Sequence, residues 1–476
     1  MEKAKKMFSV LIFVTASVGI ILGIWQVKPP LVNKTSPYHP AYIRMMENIE
    51  RFAAEPRNSG SVEIERVRAG ILAEIEAMGL TPIIEDASYT PSEYGDLRMR
   101  LNGTTKDDWW SWAGDIIAEE YGIYSFESWF ALGVEEAGAD TLQNILVKLD
   151  APNTERIIMF VSHYDSVHQS PGAADAMLPV CAMLEVMRVH SQNGELKTNI
   201  YFLFTDGEEN NLLGARKFVD AYPELKGKID MVINLEMRGN SGGLLLFETS
   251  PQSYRLMRSV LQSGAKPIGT SWAAALYAMM PNDTDLTVFL NAGYAGVNFA
   301  AIEGVEHYHM PTDNFENLNR NTAWQYLLTT FALADYAANN TLDELRKPSQ
   351  DVVYFPFLPS VLILMPVWGS HIICAMACVL ALVSVVLQAR RKQLQASFTI
   401  ILMGLLFILS IGSAIWFASG SYLFYIPLLA MTATAFLRKW SIVGIISRML
   451  CGITVLLIWI PVVFLLWVSM IQSSVA

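Results

Sequence analysis

The chain has 476 residues, 52% of them hydrophobic, and its 45 Asp and Glu against 34 Lys and Arg give a formal net charge of −11. Net acidity without a basic, aromatic-interleaved patch argues against a nucleic-acid partner, and the apolar content exceeds that of an ordinary soluble protein. The apolar excess sits at the two ends, around a long polar middle.

Met7 to Trp25 is an almost uninterrupted apolar run behind Lys3, Lys5 and Lys6. Its length and the lack of a small-residue cleavage site predict an uncleaved signal anchor within residues 1–28. Residues 29–45, with Pro29, Pro30 and Pro37, read as a linker. Residues 46–345 read as one extracytoplasmic domain. "YIRMMENIERFA" after Ala41 and the stretch Ser61 to Met78 have helical apolar spacing, the second capped by Ser61 and ended by Gly79. A β segment is expected near Leu80 to Ile84 and a short strand at Arg98 to Asn102. The Trp-rich, acidic stretch Gly103 to Gly138 fits no regular element and reads as an insertion.

Buried strands are predicted at Asn144 to Leu149, Ile157 to Val161, Asn199 to Phe204, Ile229 to Leu235, Leu244 to Glu248 and Val297 to Ala300. Helices are expected between them at Met177 to His190, Asn211 to Val219 and Ser250 to Leu261, with Ala323 to Ala338 closing the domain. This alternation predicts an α/β fold, an open, mostly parallel sheet with helices on both faces. Cys181 is the one cysteine in the domain, which excludes an internal disulfide.

Residues 346–476 are expected to form a membrane domain of about four helices, at Val361 to Leu387, Ala396 to Phe417, Tyr422 to Leu437 and Met449 to Met470. Arg390, Arg391 and Lys392, then Arg438, Lys439 and Arg448, place the basic loops inside, the amino terminus in the cytoplasm and the domain outside. Pro356, Pro359 and Pro366 blur the start of the first of these helices.

The chemistry gathers after the strands: His163 and Asp165; Asp175; Asp206, Glu208 and Glu209; Glu236; and His307 and His309. Open sheets bind ligands at the carboxyl ends of their strands. Imidazole and carboxylate together are the donor set of catalytic zinc. A lone His or a lone carboxylate after a strand is more often a packed side chain or a helix cap, so the coincidence at one sheet edge carries the reading.

"HYDSV" at 163–167, "PGAAD" at 171–175, "FTDGEENNLLGARKF" at 204–218, "INLE" at 233–236, "NDTDLTVF" at 282–289 and "YHMPTDNFENL" at 308–318 together resemble the M28 family of zinc metallopeptidases, mostly aminopeptidases of the zinc exopeptidase (phosphorylase/hydrolase-like) fold. The resemblance covers about Glu47 to Asp335. With the flanking apolar blocks, it extends to the membrane-bound branch of that family, known from the endoplasmic reticulum and vacuole and found in bacteria. It implies two zinc ions per chain: His163 and Glu236 on the first, Glu209 and His309 on the second, Asp175 bridging. Glu208 would be the general base and Asp165 would orient His163, the two forming the expected catalytic pair. His309 is preferred over His307, with Asp313 behind it. Ala176, Met177, Leu178 and Pro179 depart from the polar residues that usually follow the bridging Asp, and Glu236 stands where many members have Asp.

Asp285, Arg238 and Tyr308 are candidate substrate contacts. Arg238 would either clamp a substrate carboxylate or, preferably, pair with a nearby Asp. The implied function is a membrane-anchored exopeptidase acting on peptides. The alternatives are a noncatalytic peptide- or partner-binding relative, a dipeptidase or carboxypeptidase, and a glutaminyl cyclase. The expected location is a bacterial inner membrane facing outward, or else the endoplasmic reticulum or vacuolar membrane. The lipid bilayer is the expected partner, and the C-terminal helices are a surface for a homo-oligomer or a membrane partner.

Overall fold

Burial on both faces is what orders the middle of this chain. Every residue of β3 (Ile157–His163) and of β4 (Asn199–Thr205) is buried, and only one of seven in β5 (Ile229–Leu235) is partly exposed. Strands that read as continuous apolar runs belong in the interior of a sheet covered on both sides. The structure, a computed structural model, describes residues 28–90, 93 and 140–372, apart from 153, 193–194, 279, 281, 359–360 and 371. The expectations for the anchor, for Arg98 to Asn102, for Gly103 to Gly138 and for the helices from Ala396 onward lie outside the described residues.

The helix α1 (His39–Phe52) begins inside the stretch expected to be a linker, with Pro40 in its first turn. It buries Met45, Ile49 and Phe52. Ser61 caps α2 (Val62–Ala77), its Oγ accepting from Ile64 N at 3.1 Å, and Gly79 ends it at φ 77°. The strands β1 (Ile83–Asp86) and β2 (Gln143–Leu149) precede β3. After β3 come α3 (Leu178–Gln192), β4, α4 (Leu213–Ala221), β5, β6 (Leu245–Thr249), α5 (Tyr254–Gln262) and β7 (Ile268–Gly269). The chain continues through α6 (Asp285–Asn291), β8 (Gly296–Ala300), α7 (Arg320–Asn339), β9 (Val352–Leu358) and β10 (Val361–Pro366).

Two compact units result, and the larger consists of Pro29–Pro267 with Leu276–Gln350. Its strands lie in the order β1-β2-β4-β3-β5-β8-β6. Alternation along the strands divides the core. Met159, Val161, Tyr201 and Leu203 pack with Phe218 of α4 and Leu286 and Phe289 of α6. On the opposite face Phe160 stacks on Phe202 at 5.5 Å, beneath α3 and α7. Helices therefore cover both faces.

The sheet is mixed, which corrects the expectation of a mostly parallel one. β3 pairs in parallel with β4 and β5, and β5 with β8. β1–β2, β2–β4 and β6–β8 are antiparallel. The parallel strands are the doubly buried central ones, and the antiparallel pairs flank them. Consecutive β2 and β3 are not neighbours, because β4 lies between them.

The membrane reading is also corrected. No helix among the described residues is long and apolar enough to cross a membrane. The start of the expected Val361 to Leu387 helix is β10, paired antiparallel with β9 so that Leu364 faces Tyr354 and Leu362 faces Pro356. Prolines at 356 and 366 and the β-branched residues between are poor helix interior but fit an edge hairpin. The signal anchor and transmembrane helices in the expected fold, the lipid bilayer and membrane partner, and the integral-membrane location all rested on such helices, and the described residues supply none of them.

Phe202 is fully buried against Phe160. Phe202→Ala should lower unfolding stability by about 3–5 kcal/mol in chemical denaturation, the cost of an aromatic-sized core cavity.

Candidate metal centre

Five strand ends and loops meet at the carboxyl edge of the sheet. His163 is the last residue of β3, Glu236 follows β5, and Glu208 and Glu209 lie three and four residues beyond β4. The Asp175 loop and the loop carrying His309 close the ring. His163 Nε2 lies 3.3 Å from Asp175 Oδ1 and 3.3 Å from Glu236 Oε2. His309 Nε2 lies 3.4 Å from the other oxygen, Asp175 Oδ2, and 3.1 Å from Glu209 Oε2. Two triads, His163/Asp175/Glu236 and Asp175/Glu209/His309, thus share one carboxylate, and Glu208 joins His163 and Glu209 in a third grouping. His307 sits in the 3-10 turn Val305–His307 and enters none of these groups.

The donor set fits zinc. Ligand atoms around a tetrahedral zinc with bonds of about 2.0–2.1 Å stand about 3.3 Å apart, which is the spacing of both triads. The buried Nε2 of His309 makes no aligned hydrogen bond despite its two carboxylate neighbours, as expected of a metal ligand.

Each member is held from behind. Asp165 receives Glu208 N on one oxygen and Glu209 N on the other, both at 3.2 Å. Its Oδ1 also faces His163 Nδ1 at 3.4 Å, so one buried carboxylate sets the histidine ring and the Glu208–Glu209 backbone together. Glu236 Oε1 accepts from Asn234 Nδ2 at 3.2 Å, and its carbonyl accepts from the Tyr326 hydroxyl at 3.1 Å. His309 has φ 58°, and its carbonyl accepts from Gln169 Nε2 at 2.9 Å.

The Asp175 loop has two supports that local sequence spacing does not reveal. Asp313 accepts from Ala174 N at 2.9 Å and from Asp175 N at 3.1 Å, so it backs Asp175 rather than His309. Arg57 is fully buried and fastens the loop from the other side. It donates to the carbonyls of Tyr164 at 2.7 Å, of Gly172 at 3.0 Å and of Pro171, while its backbone N bonds Ser166 Oγ. Gly172 has φ 59°, and a Cβ there would meet the Asp175 carbonyl at 2.3 Å. A second buried network, Arg68 with the Tyr164 hydroxyl and Asp206, and Ser59 with Asp206, anchors the start of the same segment.

Asp285 is fully buried in the first turn of α6, where its carboxylate accepts from Thr205 Oγ1 at 2.5 Å. This puts it behind the cluster. Arg238 and Tyr308 lie beside it: the guanidinium sits 4.4 Å from the centre of the Tyr308 ring, which stacks on His309 at 3.7 Å.

The electrostatics follow from crowding. Burial opposes the charged form of His163, but Glu236, Glu208, Asp165 and Asp175 outweigh it and hold the imidazole pKa well above its ordinary value. Burial likewise opposes a charged His309, yet Glu209 and Asp175 raise it to about 9. Burial alone would raise Asp175, but both histidines hold it below the usual carboxylate range. Burial, aided by Glu236, Glu209 and Asp285 against His163, pushes Glu208 well up. Asp285 and Asp313 rise to about 7, each chiefly through burial, with Glu236 adding to the first and Asp175 to the second. In the metal-free protein two imidazolium ions therefore supply the positive charge that the carboxylates require.

The family model of Peptidase family M28 matches residues 144–334. Endoplasmic reticulum metallopeptidase 1 of Mus musculus is 32% identical over 184 residues, 38% of this chain and 20% of that protein. The vacuolar membrane protease of Saccharomyces cerevisiae is 31% identical over 220 residues, 45% of this chain and 22% of that protein. The chain thus spans about a fifth of the length of these relatives. A zinc aminopeptidase from Bacillus subtilis is 16% identical, with a TM-score of 0.45, over 65% of this chain and 97% of that one. Residues 144–334 carry the M28 family zinc-peptidase fold. With the His/Asp/Glu cluster they form a zinc-dependent metallopeptidase domain.

Two outcomes follow. Gly172→Ala should weaken zinc binding by about 10–100-fold, since displacing a ligand's support costs that much, measured by competition with a chromophoric chelator. The charge on His309 stabilises the metal-free fold fully below the ordinary imidazole pKa of 6.5, and that contribution is lost as pH rises through about 9. Zinc must displace the same proton. Affinity should therefore rise between pH 6.5 and 9 with proton release, and the melting temperature of the chelated protein should fall over the same window; calorimetry in buffers of different ionisation enthalpy reads the first, thermal melts the second.

Proposed function

We propose that the domain is a dinuclear zinc exopeptidase, an aminopeptidase that removes amino-terminal residues from peptides. The carrying observation is the two-sided environment of Asp175, one oxygen facing His163 and the other His309. A carboxylate so placed suits a bridge between two ions. His163, Asp175 and Glu236 would hold one zinc, and Asp175, Glu209 and His309 the other. When bound, zinc acts as a Lewis acid on the scissile carbonyl and acidifies water.

The chain's own residues supply the rest. Glu208 takes a proton from the attacking water and returns it to the leaving amine, a task suited by a carboxyl whose basicity burial has raised. Its neighbour Glu209 turns to His309, and the grip of Asp165 on both backbone N–H groups keeps the two acids in separate roles. The excess of carboxylates around the cluster suits a substrate's free ammonium group. The likeness to a metallopeptidase and a protease supports peptide-bond hydrolysis.

Glu208→Gln should retain zinc and lose about 10²–10⁴-fold in turnover, because it removes a base and no ligand. The assay sets amino-acid amides, free peptides and amino-terminally blocked peptides against wild type and variant, with zinc and after chelation. Equal cleavage of blocked peptides would reject the aminopeptidase assignment, and absence of both zinc and turnover would reject the enzyme.

A further inference from the structure

Arg238 brings a guanidinium to the edge of the carboxylate-rich cluster, and its partners among the described residues are neutral. Nη1 donates to the Tyr308 hydroxyl at 3.2 Å, and the guanidinium carbon lies 4.4 Å from the ring centre. The Asn282 carboxamide, turned with its oxygen toward the guanidinium, accepts from Nη1 at 3.0 Å and Nη2 at 3.1 Å. Among the described residues a phenol, a π face and an amide stand where an Asp partner was expected for Arg238. These orient a half-buried guanidinium without neutralising it.

The remaining donors have a definite shape. Nη1 is engaged twice and Nη2 once among the described residues, so the edge formed by Nε and the second Nη2 hydrogen is left over. Two parallel N–H groups on one edge of a guanidinium match the two oxygens of a carboxylate. The edge is preorganised, because the Arg238 loop is sewn to the segment that leads to Tyr308. Arg238 N and Gly239 N donate to the Ala301 carbonyl at 3.0 Å, and Ser241 N donates to the Glu303 carbonyl at 3.0 Å. A Cβ on Gly239 would meet the Glu303 carbonyl oxygen at 2.2 Å, so the approach requires glycine. Tyr308 in turn stacks on His309 at 3.7 Å, which ties the arginine to the candidate metal ligand.

We infer that Arg238, oriented by Tyr308 and Asn282, is a specificity-determining residue that binds a carboxylate of the substrate. The inference rests on the metallopeptidase reading above and narrows its substrate class to peptides bearing a carboxylate near the scissile bond. Two sources offer the same chemistry: the free α-carboxylate of a dipeptide and an acidic side chain.

The test uses the full chain loaded with zinc. One arm compares Leu-Ala with Leu-Ala-NH2, and the other compares Glu-Ala-NH2 with Gln-Ala-NH2, in kcat/KM for wild type, Arg238→Gln and Arg238→Lys. Each pair is also titrated calorimetrically into Glu208→Gln, alone and combined with Arg238→Gln, which reads binding without turnover. The expected result is a preference of about 10–100-fold for the carboxylate member of one arm, carried by KM. It should collapse toward unity in Arg238→Gln and be partly restored in Arg238→Lys, which keeps the charge and loses the fork. The arm that shows the preference identifies the source. Equal treatment of both members in both arms, or a preference that survives Arg238→Gln, would overturn the inference while leaving the peptidase reading intact. Absence of turnover in every arm would count against the peptidase reading, and the calorimetric preference would then decide the inference alone.

Discussion

Everything at the sheet edge depends on a single carboxylate being held between two histidines. Asp175 can face His163 with one oxygen and His309 with the other only if its backbone is fixed to within a few tenths of an ångström. No strand or regular α-helix supplies that rigidity, since the loop runs through left-handed Gly172 into a short irregular turn. The rigidity is imported. Arg57 takes three carbonyls on the approach to the turn, and Asp313 takes two N–H groups within it. These bonds satisfy backbone groups that would be costly to bury unpaired. A cation and a carboxyl on opposite sides of the loop do for Asp175 what a regular element does for His163.

Holding so many acids together is an electrostatic problem before it is a catalytic one. Asp175, Glu208, Glu209 and Glu236 converge, with Asp165, Asp206, Asp285 and Asp313 close behind. The structure meets this in layers. The inner groups are matched to histidines, and in the loaded site the metal would take over that role. Of the outer groups, burial raises Asp206 to about 6 and Asp285 and Asp313 to about 7, so these three give up part of their charge near neutrality. Arg57 and Arg68 offset part of what remains. Glu208 feels this crowding strongly, since burial and the neighbouring Glu236, Glu209 and Asp285 all push its carboxyl up while Asp165 holds its backbone.

Much of this was legible in the sequence, for a physical reason. Doubly buried strands are continuous apolar runs, so β3, β4 and β5 announced themselves, and the polar residues after them marked one sheet edge. What escaped notice depends on contacts between distant parts of the chain. Arg57 lies 107 residues from the carbonyl of Tyr164 that it grips, and nothing in its local setting distinguishes it from a surface arginine. Sheet polarity escaped because β2 and β3 are adjacent in sequence but separated by β4 in space. Asp285 looked like a substrate contact because it is an acid in a motif, yet a capping box at Thr284 and the bond to Thr205 turn it inward. Arg238 invited an acidic partner and found Asn282 and Tyr308. At Val361 to Pro366 hydrophobicity alone suggested a helix, whereas the flanking prolines decide for a hairpin.

The long range of the supporting bonds also ties the site to folding. His163 to Glu236 spans β3 to β5, while Asp175 reaches forward to Asp313 and Arg57 reaches back from the first helices. In an unfolded chain these groups are far apart, so no pre-assembled metal site exists to compete for zinc. Metal binding is then selective for the folded state and adds its free energy to stability. The converse constrains evolution of the site: a change that loosens Arg57 or Asp313 weakens metal affinity without touching a ligand, because each acts on the one loop that serves both triads. That loop lacks a polar residue directly after Asp175, where Ala176, Met177, Leu178 and Pro179 follow. Those residues are buried. Apolar packing there is compatible with a rigid Asp175 loop because the polar support comes from elsewhere in the chain.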